Sequence, residues 1–170
     1  VWKPSQVNYD SGTPQSFSIE YDLWQFWLTG CISVPVDIAG RRCSALVDTG
    51  CSTNVFVNDL TIESCDLAVF PLGANSVTNS PTGFCDIPAL RLGPMVVAHP
   101  PCIYEQMQWQ FRVLGIPLYR HRIVMLGVDF VRPFSYVLFD NTRHTIVFSP
   151  RDTFEPDAPS DWLRLPFALE

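Results

Sequence analysis

Lysine is almost absent from this chain. Lys3 is the only one, and the other basic residues are arginines that form no clustered stripe. With 17 acidic against 11 basic residues the formal net charge is −6 and the pI is near 4.9. A protein that grips a phosphate backbone needs a basic face, so nucleic acid is excluded as a partner. No apolar run approaches the roughly 20 residues of a membrane-crossing helix, so no membrane span is expected. No signal peptide is recognisable, and a chain that opens on Val1 reads as a mature chain or an excised fragment. None of the six cysteines stands in a Cys-x-x-Cys pair, the spacing of many zinc sites, so neither a metal nor another cofactor is expected. Internal repeats are absent as well.

What remains is enough for one well-filled domain: 170 residues, 47% of them hydrophobic and 13% aromatic. Six cysteines permit three disulfides, but small buried thiols are the simpler reading, and the compartment stays open. Strand signals dominate. Ile32, Val34, Val36 and Ile38 alternate, the pattern breaks at Ala39-Gly40, and it resumes at Cys43, Ala45 and Val47, as in a β-hairpin. The stretch "IPALRLGPMVVAHPP" alternates around Gly93-Pro94, and "SYVLFD" and "HTIVFSP" flank Asn141-Thr142-Arg143 as another hairpin. Helical signals are short: one or two turns after Asn58, and "VDFVRPF" ahead of Pro133. The first 30 residues read as a loose extension whose aromatic run, "YDLWQFWL", leads into a first strand. The Pro- and Asp-rich tail carries Trp162, Leu163, Leu165 and Phe167 for docking.

One stretch asks for a chemical reason. In "ALVDTG" an apolar strand runs straight into a carboxylate, Asp48, followed by Thr49 and Gly50. Gly50 allows close backbone approach, turn N–H groups are placed to hydrogen-bond the carboxylate, and Thr49 adds a hydroxyl. Alone, Asp-Thr-Gly is an ordinary strand-ending turn. Downstream, however, "IVMLGVDFVRPFSYVLFDNTRHTIVFSP" supplies an apolar-Leu-Gly turn at Leu126-Gly127, a short aromatic helix and a closing hairpin.

This ordered pair of motifs resembles the retropepsin-like aspartic proteases, the single-lobe relatives of pepsins and retroviral proteases. The resemblance covers residues 31 to 150. It implies an all-β fold, a retropepsin-like closed β-barrel or acid-protease lobe with one or two short helices. The implied organisation is an N-terminal extension and first strand over 1–30, the protease-like domain over 31–150, and a C-terminal tail over 151–170 that docks or contacts a dimer partner. Asp48, Thr49 and Gly50 are then the catalytic triplet. The family's flap, a hairpin over the substrate cleft, falls between Asn75 and Leu90 with its tip around "VTNSPTGF" and Gly83 as its flexible point. Flap residues Val77, Asn79, Thr82 and Gly83, with Leu126 and Gly127 in the floor, become the candidates for substrate binding. Two departures stand out: Ser80-Pro81-Thr82 replaces a glycine-rich tip, and Cys51 follows the triplet where a small Ala or Ser is usual.

Such chemistry needs two carboxylates around one water, with one proton shared between them. Asp10, in "NYDSGTP", lacks an apolar strand leading into it and reads as a turn. Asp140 reads as part of the closing hairpin, and Asp129 as a helix-start carboxylate favoured by the dipole. The chain is therefore one lobe, and the expected partner is a second copy contributing its own Asp48 across a two-fold axis. The expected substrate is an extended polypeptide. The alternative is a catalytically inactive retropepsin-like dimerisation or scaffold domain of a larger protein. A Cys-His protease is the weaker reading, because His99, His121 and His144 are dispersed. Trp24, Phe26 and Trp27 read as core or interface packing, Tyr104, Trp109 and Phe111 as packing or cleft aromatics, and 98–122 as an insertion that shapes pockets or meets a partner.

Overall fold

The computed structural model describes residues 7–106, 110–113, 116–120 and 122–155. Trp109, His121 and the tail residues Trp162, Leu163, Leu165 and Phe167 lie outside the described residues, as does the side chain of Phe111.

Two short strands open the fold, β1 (Val7–Tyr9) and β2 (Phe17–Glu20), followed by helix α1 (Leu23–Thr29). The hairpin of β3 (Ser33–Ile38) and β4 (Arg41–Val47) turns at Ala39-Gly40, where both φ angles are positive (51° and 79°), as a tight two-residue hairpin turn requires. The alternation expected from sequence is real: Val34, Val36, Ile38, Cys43 and Ala45 are buried. After the Asp48 loop comes β5 (Val55–Asn58), buried at every position, then α2 (Asp59–Cys65). Asn58 caps α2: its Oδ1 accepts from the Thr61 N–H at 3.2 Å and also from the Ile123 N–H at 3.0 Å. Next follow β6 (Ala68–Ala74), β7 (Pro81–Asp86), β8 (Ala89–Leu92), β9 (Met95–Ala98) and β10 (Cys102–Glu105). A separate hairpin, β11 (Gln110–Val113) and β12 (Ile116–Arg120), occupies the insertion. The chain then returns through β13 (Val124–Leu126), α3 (Val128–Val131), β14 (Tyr136–Asp140) and β15 (Thr145–Ser149).

Ten strands form one sheet in the order β1-β9-β8-β3-β4-β13-β5-β10-β7-β6. It curls into a half-barrel, with β1 and β6 at the two ends of the ladder among the described residues. Pro71 lies in β6, at the edge, where a missing N–H costs no central ladder bond. A three-stranded sheet, β14-β15-β2, packs against the same core. Within it Phe148 stacks on Phe17 with ring centroids 5.5 Å apart, and it meets Phe134 at 5.2 Å. Fully buried side chains such as Ile38, Leu90, Leu126 and Ile146 each contribute roughly 1.5–3 kcal/mol by leaving water.

One reading of the first 30 residues is corrected: from Val7 onward the segment is not loose, since β1 pairs with β9 and β2 pairs with β15. The aromatic run, read only as leading into a strand, forms helix α1 ahead of β3. It lies between Asp22, whose carbonyl accepts the Phe26 N–H at 2.9 Å, and Gly30, which ends it at φ 71°. The described residues thus hold three short helices rather than one or two.

Candidate active site

Strand β4 delivers Asp48 to the end of the central ladder. Ala45 is buried, Val47 donates its N–H to the Ile32 carbonyl at 2.9 Å, and β13 runs parallel alongside with Leu126 opposite Val47. At Asp48 the chain turns away from the sheet and is tied down at once. Its N–H donates to the Leu126 carbonyl at 3.0 Å, and its carbonyl accepts from the Cys51 N–H at 3.2 Å. Its carboxylate Oδ1 accepts the Gly50 N–H at 2.9 Å. A Cβ on Gly50 would stand 3.2 Å from that same oxygen, so glycine leaves the carboxylate its place.

The Leu126-Gly127 turn backs this loop. Gly127 donates to the Asn54 carbonyl at 3.0 Å, and Val128 donates to the Cys51 carbonyl at 2.8 Å. A Cβ on Gly127 would lie 2.1 Å from the Thr53 carbonyl oxygen and 2.5 Å from that of Cys51, so only glycine fits. The Asn54 side chain adds a bond to the Asp129 carbonyl at 3.2 Å. Cys51 meets the Thr53 hydroxyl at 3.1 Å. The loop is therefore rigid underneath, yet Asp48, Thr49 and Gly50 are all exposed on the single chain. Among the described residues no ion pair reaches Asp48.

The other acidic candidates have structural partners. Asp10 receives two 2.8 Å bonds from Arg91. Asp129 pairs with Arg132 at 2.8 Å in the first turn of α3. Asp140 organises the closing turn by accepting the Thr142 and Arg143 N–H groups at 3.0 and 2.9 Å. Nor is there a Cys-His pair among the described residues: His99 meets Asp86 at 2.8 Å, and His144 packs edge-on against Tyr21. The buried Cys43 thiol is a poor nucleophile, since burial and the neighbouring Cys65 push it up to about 11.

The six residues expected to bind substrate do not form one surface. Val77 and Asn79 lie exposed in the turn between β6 and β7. Thr82 and Gly83 lie within β7, which has β6 on one side and β10 on the other. Gly83 is not a flexible point. It is buried, and a Cβ there would come within 2.4 Å of the Phe70 carbonyl oxygen and 2.8 Å of the Tyr104 ring. Leu126 and Gly127 are also buried and support the Asp48 loop from beneath. The sequence reading missed Glu105. This buried carboxylate accepts from the Asn75 side chain at 3.1 Å and from the Thr78 hydroxyl, and so anchors the hairpin turn to β10. Asn75 in a polar turn was a readable Asx signal. Glu105, a lone acid ending an apolar strand, gave none.

No protein-family model and no curated protein matches the chain. The solved structure of a retropepsin-like aspartic protease from Rickettsia conorii superposes with a TM-score of 0.51 at 10% identity, covering 80% of this chain and 91% of that one. The fold is retropepsin-like. The retroviral protease-like domain of Ddi1 from Leishmania major also matches, with a TM-score of 0.38 at 16% identity, covering 71% of this chain and 94% of that one. Within the retropepsin-like lobe, the Asp48 loop and the Leu126-Gly127 turn are packed directly on each other.

Proposed function

We propose that the chain is one half of a homodimeric aspartic endopeptidase, with Asp48 from each copy flanking a single water. The observation that carries this reading is the Asp48-Thr49-Gly50 loop: rigidly backed by Gly127, its carboxylate oriented by the Gly50 N–H, and exposed where a second copy would meet it. Two carboxylates sharing a site cannot both ionise, so the pair holds one proton. The ionised member takes a proton from the water as it attacks the peptide carbonyl carbon. The protonated member donates to the carbonyl oxygen, and the tetrahedral species then expels the amine after proton return. The expected substrate is an extended peptide, taken up as an added strand.

The test is cleavage of a mixed peptide library from acid to alkaline pH, with Asp48→Asn as control and light scattering on the same samples. The expected result is a dimer with a bell-shaped rate profile, highest on the acid side of neutrality, and no cleavage by the variant. Full activity from a strict monomer, or unchanged cleavage by Asp48→Asn, refutes the shared dyad. A well-folded dimer that cleaves nothing at any pH supports the scaffold reading instead.

A further inference from the structure

The two tryptophans among the described residues are both largely exposed, Trp24 at 74% and Trp27 at 78%, and stand three residues apart on α1. Phe26 packs inward beside Tyr21, with ring centroids 5.6 Å apart. The helix sequence, LWQFWLT, carries no charge. Both ends of this excursion are pinned beside the candidate site. Asp22 donates its N–H to the Ser33 carbonyl at 3.0 Å, Ser33 lies opposite Leu46, and the Ile32 carbonyl takes the Val47 N–H at 2.9 Å. Helix α1 therefore springs from the part of the molecule where β4 ends in Asp48.

We infer that the Trp24–Trp27 face of α1 is the self-contact that brings two copies together with their Asp48 loops facing. The inference rests on the proposed shared dyad, because a site with one carboxylate is incomplete without a second copy. The chemistry of the surface fits such a contact: interface cores are enriched in tryptophan and depleted of charge. At these exposures the two indoles offer about 300 Å² per chain, over a third of the roughly 800 Å² that a standard interface buries on each partner. The rival apolar patch, Phe70, Leu72 and Phe84, lies on β6 and β7, separated from β4 in the sheet by β13, β5 and β10.

Sedimentation equilibrium compares wild type, Trp24→Ser/Trp27→Ser and Phe70→Ser/Leu72→Ser, with peptidase rate followed against protein concentration. The expected result is a dimer dissociation constant at least tenfold weaker for the tryptophan variant only, with activity lost on dilution and regained at high concentration. A wild-type dimer whose constant is unmoved by the tryptophan changes, or is moved by the β6 changes instead, overturns this interface while leaving the shared dyad standing. A monomeric wild type with full activity removes the dyad and the interface together. If circular dichroism shows the double variant unfolded, Trp27→Gln alone carries the comparison: at least a threefold weakening supports the contact, and an unchanged constant overturns it.

Discussion

Replacing Gly127 by alanine tests whether the Asp48 loop is held as described. The backbone of Gly127 is ordinary, with φ −86°, so alanine meets no conformational penalty there and the whole effect is one of space. The added Cβ would sit 2.1 Å from the Thr53 carbonyl oxygen, against 3.4 Å or more in ordinary contact. The 51–53 loop must therefore retreat by about 1.3 Å. Both contacts are to backbone, so no side chain can swing aside. Overpacking of this kind costs about 1–3 kcal/mol. The retreat also stretches the bonds from Gly127 to Asn54 and from Val128 to Cys51, each worth about 1 kcal/mol. A total of about 3–5 kcal/mol lowers the melting temperature by roughly 10 °C in a chain of this size. Differential scanning calorimetry measures it, with Gly50→Ala as the contrast. There the new Cβ meets only the Asp48 carboxylate, at 3.2 Å on an exposed loop, so melting should stay within about 2 °C of wild type while any peptidase activity falls. A Gly127→Ala protein that melts within about 2 °C of wild type refutes the packing argument.

Asn58→Ala should cost about 3 kcal/mol in urea unfolding, because one buried oxygen caps α2 and satisfies the Ile123 N–H and the Thr61 hydroxyl as well; a loss below about 1 kcal/mol contradicts that role. In native protein at pH 8, mass-resolved alkylation should mark exposed Cys31 first, with Cys43 slowed by about 100-fold, as expected for a thiol held near 11 by burial and Cys65; equal rates refute the buried placement. Asp140 is held below its usual value of 3.8, chiefly by the Arg143 backbone N–H, so its charge favours the folded state above that pH, and the benefit fades as pH falls through the lower folded value. The urea midpoints of wild type and Asp140→Asn should therefore lie further apart at pH 6 than at pH 3, and a gap that widens on acidification contradicts the sign.

Elements built from local patterns were legible. Gly40, Gly93 and Asn141-Thr142-Arg143 mark real hairpin turns, Asn58 starts α2, and Pro133 follows α3. Helix α1 was not, because leucine, tryptophan and phenylalanine in a row serve a strand as readily as a helix. The bracketing Asp22 and Gly30 were the better evidence, being the residue types that open and close a short helix. The Asp48 triplet was readable as a motif. Its support was readable only in part: "MLG" pointed to Gly127, but nothing local pointed to Asn54. Gly83 shows the limit most clearly. In isolation a glycine near a turn reads as a hinge, whereas its role comes from strand partners distant in sequence, Pro71 on one side and Tyr104 on the other.

That same pairing changes what the β6–β7 hairpin is able to do. Strand β7 is bonded on both sides along much of its length, from Thr82 opposite Glu105 to Cys85 opposite Cys102. Only the turn from Asn75 to Ser80 extends beyond the strands, and it is closed by the Asn75 N–H to the Ser80 carbonyl at 2.8 Å. The buried Glu105 side chain then holds that turn by accepting hydrogen bonds from Asn75 and Thr78. A glycine-rich tip moves because its backbone has freedom to spare. This turn has Ser80-Pro81 in its place and an acid beneath it, so its rest position is set by side-chain bonds. Under the proposed function, admitting a peptide here means breaking or bypassing the hold of Glu105, and the turn's most exposed large apolar side chain is Val77, at 90% exposure. Selectivity would then reside in the turn's few exposed side chains rather than in a mobile lid.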